Sequence, residues 1–157
     1  MDQQQRDGLL KEEYFFLQKC YEDFDQRTLL IKGWSVTVSL GGLALGFQSK
    51  QQVIWILAGL SAVLFWVLEA KWKSFQYAFS PRIQEIEAYF RGDKKEGGVN
   101  PLQIYTAWFH SYQAPEDGTG RHWVRYGLLP FVLIPHVVTL LVAVLLILLH
   151  DVRGPLW

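Results

Sequence analysis

The sequence predicts an all-α membrane protein with three transmembrane helices, and three observations lead to that fold class. First, three apolar stretches approach or reach the roughly 20 helical residues that a bilayer core of about 30 Å requires. Second, the apolar residues before the first stretch recur at the steps of three and four that are typical of a helix. Third, half of the 157 residues are apolar while 19% are charged, which fits a membrane protein with a sizeable part in water.

The first predicted element is one long helix over residues 8–47, whose first half is in water and whose second half, from about Leu29 to Phe47, is the first span. The apolar stripe keeps its register across the membrane edge, so we expect no break there. Lys32 lies one turn inside the span, and we expect its stem to carry the ammonium back to the headgroups. The stripe consists of Leu10, Tyr14, Leu17, Tyr21, Phe24, Thr28, Ile31, Ser35, Val38, Gly42 and Leu45.

The first span also carries a row of small residues, which are Ser35, Ser39, Gly42 and Gly46. Small residues let two helix backbones approach closely, and close packing replaces the hydrophobic effect in lipid. The row therefore predicts a helix–helix contact. It packs either the two-span hairpin against itself or one subunit against another.

The second span is predicted over residues 53–70, after a short polar turn, and it is short enough that we expect the helix to continue past the membrane surface. Residues 71–125 are predicted as cytosolic helices and loops. Pro81 indicates a kink or a new helix that Ser80 could cap, and Asn100–Gln103 has the pattern of a helix start, which predicts a helix from about Pro101 to Gln113. The third span is predicted over residues 126–149, and the whole chain is predicted to be a single integral membrane domain over residues 1–157.

The distribution of Lys and Arg predicts how the chain is threaded. With the N-terminus in the cytoplasm and the C-terminus outside, only Lys50 and Arg153 of the 15 Lys and Arg residues lie outside. Positive charge is enriched on the cytoplasmic side of membrane proteins. We therefore expect a multi-pass protein of the cell (inner) membrane in this orientation.

Three polar residues of the spans are candidates for a role inside the membrane: His136, Thr139 and Glu69. An ionisable residue at membrane depth is costly, so it is a functional hypothesis by default. His136 and Thr139 could line a pore, or His136 could bind a lipid headgroup. Alternatively, His136 could be a neutral imidazole that is hydrogen-bonded across helices, for example to Ser35 or Ser39. Glu69 could form a ring of carboxylates at the mouth of an oligomeric pore, or it could be a solvated charge at the end of the helix that pairs with a lysine or Arg125. Pro130 and Pro135 are expected to free backbone carbonyls one turn earlier and to kink the third span.

A second group of residues is expected at the lipid headgroups or the membrane interface, where tryptophan and basic side chains are favoured. The group consists of Lys71, Trp72, Lys73, Arg121 and Arg125. Membrane lipids are accordingly one expected partner.

The sequence carries no signature of catalysis, of a cofactor or of a metal site. It lacks the nucleophile elbow, the zinc-protease helix motif and the phosphate-binding loop. Its single cysteine, Cys20, rules out an internal disulfide and a Cys-rich metal site. The 15 basic and 15 acidic residues cancel, so no basic field for nucleic acid is predicted. We expect no enzyme, no cofactor and no nucleic-acid partner.

The order of elements from about residue 10 to residue 91 resembles the SLATT group of small bacterial membrane proteins. The similar pieces are Tyr21 to Leu30, which lead into the first span, and Glu69 to Glu87, which lead out of the second. The resemblance implies an oligomeric, pore-forming effector in a prokaryotic defence system. The third span and residues 100–126 depart from the two-span layout, so no functional residue is carried over.

Three functional hypotheses follow from the sequence. The first is a homo-oligomeric membrane protein that forms a pore or perturbs the membrane, as in antiviral defence, because the stripe and the small-residue row favour helix partners. The second is an accessory or anchor subunit that docks a soluble or membrane protein partner through its cytosolic amphipathic helices. A membrane-embedded enzyme that uses His136 or Glu69 is the weakest hypothesis, because the spans supply too few polar groups.

Overall fold

The computed structural model describes residues 1–93, 98–113 and 122–153, and within these residues every regular element is an α-helix. The six helices are α1 (Gln3–Ser49), α2 (Gln52–Tyr77), α3 (Ser80–Phe90), α4 (Ile104–Gln113), α5 (His122–Gly127) and α6 (Pro130–Arg153). Three helical stretches, which contain α1, α2 and α6, are long and apolar enough to cross a membrane. The predicted class, an all-α protein with three membrane-spanning helices, is confirmed.

The chain divides into two compact units. Unit 1 consists of Met1–Gln26 and Trp72–His122, and unit 2 consists of Arg27–Lys71 and Trp123–Trp157. The helices α1 and α2 therefore each contribute residues to both units, while α3 and α4 belong to unit 1 and α6 belongs to unit 2. The apolar segments predicted as spans fall in unit 2.

In unit 2, the small-residue row of α1 packs against α2. A Cβ built on Gly42 would lie 3.0 Å from the Cβ of Ala58, and one built on Gly46 would lie 2.5 Å from the indole ring of Trp55. The Oγ atoms of Ser39 and Ser61 are 3.3 Å apart. The row thus packs the hairpin within one chain, which was one of the two outcomes that the sequence left open.

The third span begins later than the sequence predicted. The prediction placed its start at Tyr126, but α5 ends at Gly127 and α6 begins at Pro130. Proline has no amide hydrogen for the helical ladder and disfavours a helical residue before it, so it starts α6 instead of continuing α5. The indole Nε1 of Trp66 donates to the carbonyl oxygen of Gly127 over 2.9 Å, which joins this break to α2.

In unit 1, the stripe on the first half of α1 is covered by this chain. Leu10 and Leu17 are fully buried in a core with Ile83 and Ile86 of α3 and with Val99. The second span's helix continues to Tyr77, as its shortness predicted. A new helix then starts around Pro81, but Ser80 does not cap it, because Phe79 occupies the cap position without a side-chain hydrogen bond.

The predicted start of the fourth helix is wrong by about one turn. The helix α4 begins at Ile104, not Pro101, and Leu102 has a left-handed φ of 63°. The amide of Leu102 donates instead to Oε2 of the buried Glu13 over 2.7 Å, and the carbonyl of Asn100 accepts from Arg82 over 2.6 Å. These tertiary hydrogen bonds use the backbone groups that a local cap would have needed.

Candidate functional site

The candidate site is a cluster of polar side chains inside unit 2. It joins Lys32 and Ser35 of α1, Glu69 of α2 and His136 of α6. Lys32 and Ser35 share a face of α1 because they are three residues apart. His136 follows Pro135, which lies inside α6.

Glu69 lies at the centre of the cluster and has no exposed surface. Its Oε1 is 3.1 Å from the Nζ of Lys32, and its Oε2 is 3.0 Å from the Nε2 of His136. A buried carboxylate is costly unless it is paired and hydrogen-bonded. Glu69 is paired with Lys32 through Oε1 and hydrogen-bonded to His136 through Oε2, although Oε1 lacks the alignment of a hydrogen bond. It is therefore not the solvated charge at a helix end that the sequence allowed.

His136 uses both ring nitrogens and is 2% exposed. An ionised carboxylate only accepts hydrogen bonds, so Nε2 must carry a hydrogen and donate it to Glu69. In the neutral ring the other nitrogen, Nδ1, then accepts from the hydroxyl of Ser35, whose Oγ is 3.3 Å away. The partner is therefore Ser35 and not Ser39, which contacts Ser61.

Lys32 turns toward its own chain, so the expectation that its ammonium extends to the headgroups is wrong. Its Nζ donates to the carbonyl oxygen of Phe131 over 2.7 Å and lies 5.8 Å from the centre of the Phe131 ring. Pro135 has no amide hydrogen to offer the carbonyl four residues earlier, which is that of Phe131. The ammonium of Lys32 thus supplies the hydrogen bond that Pro135 removes.

The arrangement balances its charges and connects the three longest helices. With the imidazole neutral, the carboxylate and the ammonium sum to zero, and each of α1, α2 and α6 supplies at least one member. Chemically, such a cluster can fix the register of three apolar helices, because sliding any one of them would leave a charge or a carbonyl unpaired in a poorly solvated interior.

The other polar candidate of the third span is not part of the cluster. The Oγ1 of Thr139 donates to the carbonyl oxygen of Pro135 over 3.0 Å, within its own helix. This is a local bond that a threonine often makes to the preceding turn.

The residues predicted for the membrane interface differ in their surroundings. The Nζ of Lys71 lies 5.3 Å from the ring centre of Trp123, and Arg125 is exposed. Trp72 is half-buried against Phe24, with ring centres 5.3 Å apart. Arg121 lies outside the described residues.

Lys73 is buried and bonded within unit 1. Its Nζ donates to Oδ1 of Asp25 over 2.6 Å and to Oε1 of Gln76 over 2.8 Å. Burial acts to raise the pKa of Asp25, but the hydrogen bonds from Lys73 and Gln76 together outweigh it and lower that pKa below its usual value. Lys73 therefore holds α2 to α1.

Sequence reasoning missed a second buried ion pair, which lies in unit 1. Arg82 donates from Nε and Nη2 to the two carboxylate oxygens of Glu13 over 2.8 and 3.1 Å, and from Nη1 to Glu85 over 2.8 Å. Desolvation opposes the charge, but the bonds to Glu13 and Glu85 prevail and raise the pKa of Arg82. The available signal was the position of Glu13, which falls on the same helix face as Leu10 and Leu17.

Unit 1 also has an open surface cavity of about 430 Å³ between α1 and α3. Its lining combines aromatic rings with charged groups: Lys11, Tyr14, Phe15, Glu87, Phe90 and Arg91. The hydroxyl of Tyr14 donates to Oε1 of Glu87 over 3.1 Å, so the carboxylate is already engaged. The rim carries both signs of charge, since Glu87 lines it together with Lys11 and Arg91, and Arg91 is paired with Asp93 over 2.9 Å.

Comparisons with known proteins add no functional assignment. The scan against family models and the searches of curated proteins and solved structures gave no match to this chain. Among the residues that the structure describes, no group of three or more His, Cys, Asp and Glu side chains could hold a metal ion.

Proposed function

We propose that this chain is a membrane anchor or accessory subunit. In this proposal unit 2 fixes the chain in the bilayer, and unit 1 presents a docking face to a protein partner. The observation that carries the proposal is the exposure of Phe15 and Phe16, which are 70% and 56% accessible on the α1 face of unit 1. In sequence these residues precede Leu29 by more than three helical turns, so lipid is not their expected environment.

The docking face extends from this pair to the cavity beside it. Phe15 lines the cavity, and Phe90 adds a ring that is 45% exposed. Lys11, whose Nζ is 5.9 Å from the centre of the Phe90 ring, supplies positive charge, while Arg91 is paired with Asp93. A partner of complementary chemistry carries an apolar side chain next to an acidic one. Exposed apolar patches rimmed by polar groups are typical of protein interaction sites.

The contacts inside unit 2 favour an anchor over a pore lined by the predicted residues. Glu69 and His136 are buried and bonded to partners in the same chain. To line a pore, both would have to give up these contacts. In the anchor proposal the contacts have a direct use, because they hold the three spans in one arrangement.

We further propose that unit 1 lies on the cytoplasmic side of the cell membrane. The support is the distribution of Lys and Arg, of which only Lys50 and Arg153 fall on the other side. Attachment of a membrane-impermeant thiol reagent to intact cells tests it. In a Cys20→Ser background, a cysteine at Lys50 should react, whereas a cysteine at Phe16 should react only after lysis.

The test of the anchor function is site-specific photocrosslinking in native membranes. A photoreactive phenylalanine at position 16 should capture one partner protein in stoichiometric amounts, and the same group at the exposed position Glu22 should not. Phe15→Ser should abolish the crosslink at position 16. Crosslinks to lipid alone, or equal capture at both positions, would contradict the proposal.

A second candidate is the homo-oligomeric, membrane-perturbing effector that the SLATT-like layout implies. The same exposed pair, Phe15 and Phe16, favours it because a second copy of the chain could cover these rings. The crosslink at position 16 would then join two copies. Light scattering in mild detergent would give a closed oligomer, and ion flux would follow in liposomes, whereas the anchor proposal predicts a monomer and no flux.

A further inference from the structure

The helix α4 has two aromatic rows that face different surroundings. Trp108 and Tyr112 stack at 5.3 Å and pack on Phe75 of α2, with Tyr112 at 5.1 Å from the Phe75 ring. Tyr105 and Phe109 stack at 5.7 Å in a second row and remain 72% and 36% exposed. The first row attaches α4 to α2, and the second has no cover within the described residues.

The attachment point is near the end of a span. The Nε1 of Trp108 donates over 3.1 Å to the carbonyl oxygen of Phe75, one of the last carbonyls of α2, which lack helical partners. Along α2, Phe75 follows Leu68 by about two turns, or roughly 10 Å. The headgroup layer on each side of the hydrocarbon core is about 5 to 8 Å thick. The attachment at Phe75 therefore lies about 2 to 5 Å beyond that layer, close enough for side chains of α4 to reach it.

The composition of α4 suits this depth. Its ten residues, Ile104–Gln113, include no Asp, Glu, Lys or Arg, although its outer face is exposed. Tyrosine, tryptophan and phenylalanine rings are favoured at the membrane interface because an apolar ring meets the lipid while its polar edge stays hydrated.

We propose that α4 lies in the interface of the bilayer, with Tyr105 and Phe109 inserted among the lipid headgroups and the adjoining ends of the acyl chains. The occupant of this exposed face is thus the lipid surface that also surrounds the spans. The polar side of the same helix, at Thr106 and His110, faces water. This surface is separate from the proposed docking face on α1 and does not depend on it.

Depth-dependent fluorescence quenching tests the proposal on the full chain. In a Cys20→Ser background, Tyr105→Cys and Phe109→Cys are labelled with an environment-sensitive dye, and the protein is reconstituted in vesicles of phosphatidylcholine and phosphatidylglycerol. The emission of the dye at both positions should shift to the blue relative to the same labelled protein when it is unfolded and free of detergent. The labels should lose more intensity with a headgroup-level spin-labelled lipid than with one labelled deep in the acyl chain. The labelled positions are exposed and Cys20 is half-buried, so the fold should tolerate the substitutions.

Two matched controls complete the design. Thr106→Cys places the dye on the polar side of the same helix, and Phe16→Cys places it on an exposed aromatic position of α1; both should show weaker quenching. Equal quenching at Phe16 and Phe109 would overturn the proposal, as would stronger quenching by the deep label. If the emission does not respond to the quencher lipids but changes with the protein-to-lipid ratio, the lipid proposal is overturned. The exposed face of α4 would then be covered by a second copy of the chain.

Discussion

The pairing of Lys32 with Glu69 makes a specific prediction about stability. Replacement of Lys32 by Met keeps an apolar stem of similar length but leaves the fully buried carboxylate without its cation. At the 3.1 Å separation of Nζ and Oε1, the attraction is about 5 kcal/mol at an effective dielectric constant near 20. The side chain of Lys32 is 25% exposed, so part of this attraction is offset by its hydration, and we expect Lys32→Met to cost about 3 kcal/mol of unfolding free energy.

The partner substitution should behave differently, which makes the pair a double-mutant cycle. Glu69→Gln leaves Lys32 with the Phe131 carbonyl and partial access to water, so it should cost only about 1 kcal/mol. Combining Lys32→Met with Glu69→Gln removes both charges, and the amide oxygen of Gln can still accept from His136. The double variant should therefore be more stable than Lys32→Met alone, since a neutral replacement of a buried ion pair is often tolerated.

The assay is reversible unfolding in mixed micelles by titration with sodium dodecyl sulfate, followed by circular dichroism. Lys19→Met, at an exposed position of the same helix, is the matched control and should have little effect. Strictly additive effects of Lys32→Met and Glu69→Gln would refute the ion pair as a stabilising contact. So would a Lys32→Met loss no larger than that of the control.

Three further predictions concern other contacts and use the same assay. Arg82→Met should cost about 3 kcal/mol, because it strands a buried carboxylate, while Arg91→Met at an exposed position should be near neutral; equal losses would count against the buried pair. The pKa of Asp25 is lowered in the fold. The contribution of Asp25 to the free energy of unfolding is therefore fully present above the usual aspartate pKa, and it is lost as the pH falls through the lowered pKa of the folded state. Asp25→Asn should therefore flatten the acid side of the stability profile, and an unchanged profile would contradict this. Gly46→Ala should destabilise by about 1 to 3 kcal/mol, because its Cβ would meet an indole ring at 2.5 Å, whereas Gly41→Ala meets nothing within 4 Å and should be tolerated.

The helices were predictable because their signals are local. Apolar length identifies a span, and a repeat at steps of three and four identifies the buried face of α1, so both emerge from residues near each other in the chain. The shared helix face of Ser35 and Lys32 was likewise readable from their spacing. The freed carbonyl that Pro135 produces also follows from proline chemistry alone.

The partners of the polar groups were not predictable, because each lies on another helix. Lys32 was expected to reach the headgroups, since the sequence places it near an edge, but the nearest anion and the nearest free carbonyl are on α2 and α6. The pattern at Asn100 predicted a helix start. However, the amide of Leu102 donates its hydrogen bond to the buried Glu13, which is 89 residues away in the chain. In both cases a tertiary hydrogen bond prevails over a local preference.

Three features of unit 2 that are each unfavourable alone account for one another. A lysine inside a span, a carboxylate with no exposed surface and a proline inside a helix all leave an unsatisfied group in a poorly solvated interior. The ammonium of Lys32 satisfies the carboxylate of Glu69 and the carbonyl that Pro135 frees, and His136 supplies the second bond to the carboxylate. Removing Lys32 would leave both the carboxylate and the freed carbonyl without its ammonium, so packing alone accounts for the joint presence of the three. The docking experiment at Phe16 and the lipid experiment at Tyr105 test the exposed surfaces of unit 1 and therefore bear most directly on the proposed function.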